Sequence, residues 1–517
     1  MTTLLLLVAC TGGGPKPDDT GIDTGVPVDD AVEGLVINEV MTDNDSAVSR
    51  VPGDFADWVE LYNGSGEAID LARVSLSDGG DPWTGSGELA AGAHLLLWAD
   101  TDLPFGLARG GEQLVLAVDG VAVDTVATGE MASDVALVRL PDGGAWTSSL
   151  RISPGWTNGT VASETLDAAD AIFGSGVLNE LRLTLPTSSI ESLHAEPYTE
   201  VVGSLMAGLA AWPEVNVRLK GSYGSFRDLD AKAAFRLDLG DYESWEWRGM
   251  EVLTLNNGMQ DPTFTHEYLS YALFRELGVP APRIGWVDLW VNQEYFGLYI
   301  LVESADSRFL ERWYGSAAGS LFEGSGGVDF TEHEIDDYEH DEGEDDRTQL
   351  EALAELLDGD YEGDEAARLD ELVDLDQVAR FFAVEALIDH WDGYRSPNNY
   401  RVHVHPTDGI QLLPWGCDQT FEDRASAVDD ADGMLFHACL ADEACSALFD
   451  QAALEAAAAV ETLALEEQLD TLSGWLEERI FADPRNEHGD DTVTQEIEVT
   501  RTAIRDRPAL LTAWATE

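Results

Sequence analysis

The sequence predicts a multidomain protein: an all-β sandwich over about residues 35–158, then an α+β domain over 175–517 with a helical C-terminal region. Three observations carry this. Short alternating runs such as LVINEVMTD, DWVELYN, AIDLARVSLSD, AHLLLWAD and QLVLAVDGVAVDTV recur at even spacing, bounded by Gly, Asp or Asn, as in a sandwich. After a Thr/Ala/Asp-rich linker at about 159–175, strand runs begin to mix with helical periodicity. From about 446 onward the composition is rich in Ala, Leu and Glu, as in helices.

Size and charge bound the function. The 517 residues exceed one ordinary domain, and a 44% hydrophobic fraction with 15 Trp and 17 Phe supplies packed cores. The 99 acidic residues against 28 basic ones give a net charge of −71, which repels polyanions and excludes nucleic acid as a partner. Acidity on this scale reads as a property of the whole surface rather than of one site.

The N-terminus reads MTTLLLLVACTGGG. Leu4–Ala9 is too short to span a bilayer. Leu7-Val8-Ala9-Cys10 resembles a bacterial lipobox, which implies a signal peptide over 1–10 and a diacylglycerol on Cys10. The competing reading is an accidental apolar start. Residues 11–34 are rich in Gly, Pro, Asp and Thr and read as an extended acidic tether. The expectation is an exported bacterial lipoprotein, anchored to a membrane through Cys10 at the outer membrane or cell surface. Export permits disulfides, and Cys439 and Cys445 are close enough for a local bridge. Cys417 is then left over, buried and inert.

Within the first domain, INEVM, DWVELYNGSGEAIDL and LSDG resemble the lamin-tail domain, an immunoglobulin-like sandwich. The residues concerned are Asn38, Glu39, Asp57, Trp58, Glu60, Leu61, Tyr62 and Asn63. The resemblance implies adhesion or spacing, and the segment offers no catalytic constellation.

In the second domain LNELRLTLP, EVNVRLKGSYGSF and KAAFRLDLGD read as strands. DPTFTHEYLSYALFRELGVP reads as a helix with Leu269, Ala272, Leu273 and Leu277 on one face and Gly278 at its end. IGWVDLWVNQEYFGLYILVES reads as a hairpin turning near Asn292–Glu294, and VDFTEHEIDDYEHDEGEDD as a solvated, mobile loop without the spacing of a calcium loop. Helices follow at TQLEALAELLDG and DLDQVARFFAVEALIDHW, then the strand pair NNYRVHVHP and IQLLPWGCDQTF.

That order is similar to a protein-kinase-like fold, and four motifs resemble the CotH family of atypical kinases. They are KGSYGSFRDLDAKAAFRLDL, NNGMQDPTFTHEYLSYALFRELGVPAPR, VNQEYFGLYILVESAD and HWDGYRSPNNYRV with PWGCDQTF. The resemblance covers about 175–425 and implies an ATP- and Mg²⁺-dependent kinase acting on Ser or Thr of a surface protein. It implies roles for named residues. Gly221, Ser222, Gly224 and Ser225 cover the phosphates, Lys232 holds them, and Glu267 pairs with Lys232, with Glu276 as competitor. Asp392 is the catalytic aspartate, Asn399 (or its neighbour Asn398) and Asp418 hold Mg²⁺, and Glu303 marks the lobe hinge beside adenine. His390 reads as a packed histidine. Relatives often carry Pro-Trp-Asp where this chain has Pro414-Trp415-Gly416, and a loop unlike Ser222-Tyr223-Gly224.

Taken singly, the acidic and amide residues read as turn caps and Lys232 as a surface lysine. Two other functions compete. One is a non-catalytic surface adhesion lipoprotein with a pseudokinase-like domain, which scarce extracellular ATP favours. The other is glycan hydrolysis, which needs two carboxylates flanking a cleft; no ordered pair stands out.

Overall fold

The computed structural model describes residues 34–160, 167–324, 326–357, 366–422, 424 and 426–516. Cys10, the lipobox and the tether as far as residue 33 lie outside the described residues. Among the described residues no helix is long and apolar enough to cross a membrane.

The first domain is the immunoglobulin-like sandwich. One sheet runs Ala145–Ser149, Ala136–Leu140, Leu35–Met41, Trp58–Asn63 and His94–Trp98 in order across it. The other runs Trp83–Thr84, Val74–Ser77, Gln113–Val118 and Val121–Ala127. Alternation along the strands puts Ile37, Val59, Leu61, Val74, Leu76, Leu114 and Leu116 between the sheets. The polar residues of the first motif are structural. Asn38 donates to Glu60 at 3.0 Å, Glu60 accepts the Gly155 amide at 2.5 Å, and Glu39 accepts from the Ser153 amide and hydroxyl. They tie down the SPGWTN segment. Burial, with Glu60 beside it, pushes Glu39 up to about 8.

The sandwich is seated on the second domain. The amides of Ser49 and Gly53 donate to the carbonyls of Leu209 and Ala211 (3.1 and 2.7 Å), and Arg248 reaches the Asp134 carbonyl at 3.1 Å.

The second domain begins with a closed barrel. Its strands are Leu178–Thr184, Val201–Ala207, Ala210–Lys220, Ala234–Asp238, Val252–Asn256, Glu294–Glu303 and Ile284–Val291 in order around it. It closes by parallel pairing of the first strand with the last. Leu183, Leu205, Val217, Leu219, Phe235, Leu255, Leu289 and Tyr299 belong to its core. The helix His266–Glu276 is packed between the barrel and the buried helix Leu375–Ile388, with Leu269, Leu273, Trp286, Ile300, Phe381 and Phe382 in one core. The expected hairpin turns at Asn292 and Gln293, both with positive φ.

The acidic segment departs from its reading as a mobile loop. Glu339–Glu342 pairs with Ser320–Gly324, and Arg401 pairs with Glu323 at 2.7 Å and also with Asp341. Asp329 accepts the Tyr394 hydroxyl and the Met434 amide, both at 2.8 Å. Local charge density hid these partners because they come from strands and loops about 60 to 105 residues away.

The chain ends in helices. Cys439 and Cys445 form the expected disulfide, joining the helix Met434–Ala441 to the start of Glu443–Thr462, and Cys417 is buried and free. Replacing both bridged cysteines by serine is expected to cost about 2 kcal/mol, from the chain entropy of so short a loop. A thermal unfolding midpoint that does not fall would contradict this.

Candidate active site

The strand Ala210–Lys220 sets the first functional group. Val215, Val217 and Leu219 point into the barrel, so Lys220 leaves the strand end on the opposite face. Its ammonium donates to Asn256 Oδ1, and Asn256 Nδ2 donates to Glu267 Oε2 at 2.8 Å. One asparagine thus bridges lysine and glutamate. Burial lowers Lys220, while Glu267 and Asp418 pull it back up. Burial raises Glu267, against Asn256 and Lys220.

The helix carrying Glu267 is held at its start. Asp261 accepts the His266 amide at 2.8 Å and the Thr263 hydroxyl at 2.6 Å. The His266 ring bridges the Asp418 carbonyl and the Thr500 hydroxyl, both at 2.8 Å. Glu267 is 1% exposed and turned inward, whereas Glu276 is exposed at the far end of the helix.

The remaining groups come from two loops. The helix Leu375–Ile388 stops at Asp389 in the left-handed region (φ 53°), and tight turns follow. Asp392 there accepts three side-chain amides: Asn398 at 3.0 Å, Asn399 at 2.9 Å and Gln419 at 2.9 Å. Asn399 is itself left-handed (φ 43°), which Asn tolerates better than most residues. Gly416 also has positive φ (58°), and a Cβ there would sit 2.9 Å from Asn399 Cγ. The departure from Pro-Trp-Asp therefore has a steric side: a side chain at 416 would press on Asn399 and sit in a strained left-handed backbone. His390 is packed, its ring against Glu385 at 3.1 Å and the Gly416 carbonyl at 3.2 Å.

Asp418 lies at the centre. Burial, then Glu267 and Asp261, raise it to about 7, with Lys220 opposing and Asp392 adding to the rise. Carboxylates crowded around one lysine favour a further cation. The Asp418 carboxylate and the Asn399 side-chain carbonyl are oxygen donors of the kind Mg²⁺ takes, since it is held through one or two protein ligands and completes its shell with phosphate and water. No group of three or more His, Cys, Asp or Glu side chains forms a protein cage among the described residues.

The expected site residues divide. Glu267, Asp392, Asn399 and Asp418 gather with Lys220 and Asn256. Gly221, Ser222, Gly224 and Ser225 follow Lys220 directly in a turn with positive φ at both glycines, and Asn257 holds the Ser225 carbonyl at 2.8 Å. Lys232 corrects the reading. It precedes the strand Ala234–Asp238 rather than lying in it, is 0% exposed and pairs with Asp483, not Glu267. Phe264 and Tyr299 rings flank its ammonium at 4.7 and 5.4 Å. Glu303 ends the hairpin as expected, but its carboxylate is spent on Arg283 and Arg312. Lys220, Asn256, His266 and Gln419 were missed; the strand parity that sends Leu219 inward was the available signal for Lys220.

A family model described as CotH kinase protein matches residues 217–511, more than half of the 517. A second, the Lamin Tail Domain, matches 29–130. The chain is similar to Invasin CotH2 of Rhizopus delemar, 27% identical over 206 residues, covering 35% of each chain. It is also similar to Inner spore coat protein H of Bacillus subtilis, 23% identical over 231 residues, 40% of this chain and 59% of that one. The chain thus spans between about a third and three-fifths of the length of these curated relatives. Among solved structures it is similar to the Shewanella oneidensis HipA, HipB and operator DNA complex, at 12% identity and a TM-score of 0.31 over 67% of this chain and 79% of that one.

Proposed function

The chain belongs to the CotH kinase protein family, and on that premise we propose that it is an ATP- and Mg²⁺-dependent protein kinase of a bacterial surface. One observation carries the reading: Lys220, bridged to Glu267 through Asn256, lies in one cluster with Asp418, whose carboxyl feels the charges of Lys220, Glu267 and Asp392, and Asp392 is held by Asn399. Asp418 and the Asn399 carbonyl would hold Mg²⁺, which when bound neutralises phosphate charge. Lys220 would hold the phosphates, with Glu267 and Asn256 fixing its position. The loop from Gly221 to Ser225 would cover them.

Asp392 would accept the proton of an incoming Ser or Thr hydroxyl as its oxygen bonds to the terminal phosphorus of ATP and ADP leaves. Its three amide donors, Asn398, Asn399 and Gln419, fix the orientation of the carboxylate. The acceptor would be a surface or coat protein. Relatives named as an invasin and a spore coat protein support that location, and the lipobox supports anchoring through Cys10.

Incubation of the full chain with γ-labelled ATP, Mg²⁺ and surface-protein extract tests this. Label is expected on Ser or Thr, reduced about 10²-fold or more in Asp392→Asn, the scale of general-base catalysis. Equal labelling by both chains would overturn the assignment.

A further inference from the structure

Lys232, a rare lysine in an acidic chain, is left without a part in the cluster around Asp418. Its partner Asp483 lies in the turn between the helices Leu465–Ala482 and Asp490–Trp514, 251 residues away. Asp483 enters the barrel at Gly297, where a Cβ would lie 2.2 Å from its carboxylate. It accepts the Leu298 amide at 3.0 Å as well as the lysine. Breaking such a buried pair is costly, yet apolar residues would stabilise as well, so stability alone does not explain it.

The contacts run on towards the loop Gly221–Arg227. The Lys232 carbonyl accepts from Asn257 Nδ2 at 2.8 Å, and the same amide group donates to the Ser225 carbonyl. A second route starts from Glu487, which accepts from Arg227 Nε and Nη2 at 2.6 and 2.8 Å. Arg227 donates in turn to the Gly224 carbonyl at 3.0 Å. Arg485 fills the space between, donating to the carbonyls of Asp230 and Ala231 and lying 3.8 Å over Phe296.

We propose that the turn 483–488 is a strap that holds the phosphate-covering loop in place, with Asp483, Lys232, Glu487 and Arg227 as positioning residues. The assignment rests on the kinase reading for its consequence, phosphate affinity, but not for the contact itself. The C-terminal helices thereby set the geometry of a loop more than 250 residues upstream.

The test uses the full chain, Glu487→Ala, and the charge-free double variant Lys232→Met/Asp483→Asn, which leaves no unpaired buried charge. Hydrogen exchange of amides 221–227 is measured without nucleotide, and affinities for Mg²⁺·ATP and for adenosine by calorimetry. Both variants are expected to speed loop exchange and to weaken ATP about three- to tenfold with adenosine unchanged, because only the phosphates meet the loop. Restored affinity in Glu487→Asp would mark the ion pair as the cause. Unchanged loop exchange in both variants, or equal weakening of ATP and adenosine, would overturn the strap. If the unaltered chain binds neither ATP nor adenosine, the kinase reading fails and exchange alone decides the strap.

Discussion

A Lys220→Met chain is expected to lose phosphoryl transfer by about 10²-fold or more, the scale set by removing one preorganised electrostatic contact. Glu267 keeps Asn256 as a donor, so the stability lost is expected to be smaller than in Lys232→Met. Lys232→Met is expected to behave in the opposite sense. It strands Asp483 without its cation in the barrel, at about 3–5 kcal/mol of stability. Transfer assays beside urea unfolding separate the two lysines. Strong loss of transfer without loss of stability in Lys232→Met would reverse their assignment.

Asp418 gives the second large effect. It is held up to about 7 in the folded chain, against an ordinary value near 3.8. Between those values the folded state keeps a proton that the unfolded state has lost. Stability present below about pH 4 is therefore lost as pH rises towards 7 and beyond. Glu39, held near 8, and Asp306, held near 7, add slopes of the same sign. The readout is thus the difference between the chain and Asp418→Asn. In urea unfolding without Mg²⁺, the variant should gain on the unaltered chain by at least about 1 kcal/mol between pH 5 and 8. A gap independent of pH would place the cause outside the Asp418 carboxyl.

The legible parts of this protein were those that local patterning encodes. Alternation exposed the strands of the sandwich, the helix His266–Glu276 followed from its apolar face and Gly278, and Cys439 and Cys445 were near enough to pair. The illegible parts depend on distant partners. Lys220 and Lys232 flank the same glycine loop, and only the strap at Asp483 makes one of them structural. Acidic density around 328–346 read as solvated, although Arg401, Tyr394 and Met434 each satisfy part of it. Glu303 was correctly placed at the end of its strand, but Arg312, from a later helix, engages its side chain. Asn399 was legible as an amide beside a strand; that it also orients Asp392 was not.

A site built for a metal–nucleotide pair makes ATP binding depend on Mg²⁺, and calorimetry measures that dependence. The full chain and Asp418→Ala are titrated with ATP, each with and without Mg²⁺. Binding is expected to require Mg²⁺ and to disappear in the variant. A folded, unaltered chain that takes up no ATP in the presence of Mg²⁺ would contradict it, and would leave the gathered carboxylates a structural feature of a surface-binding protein.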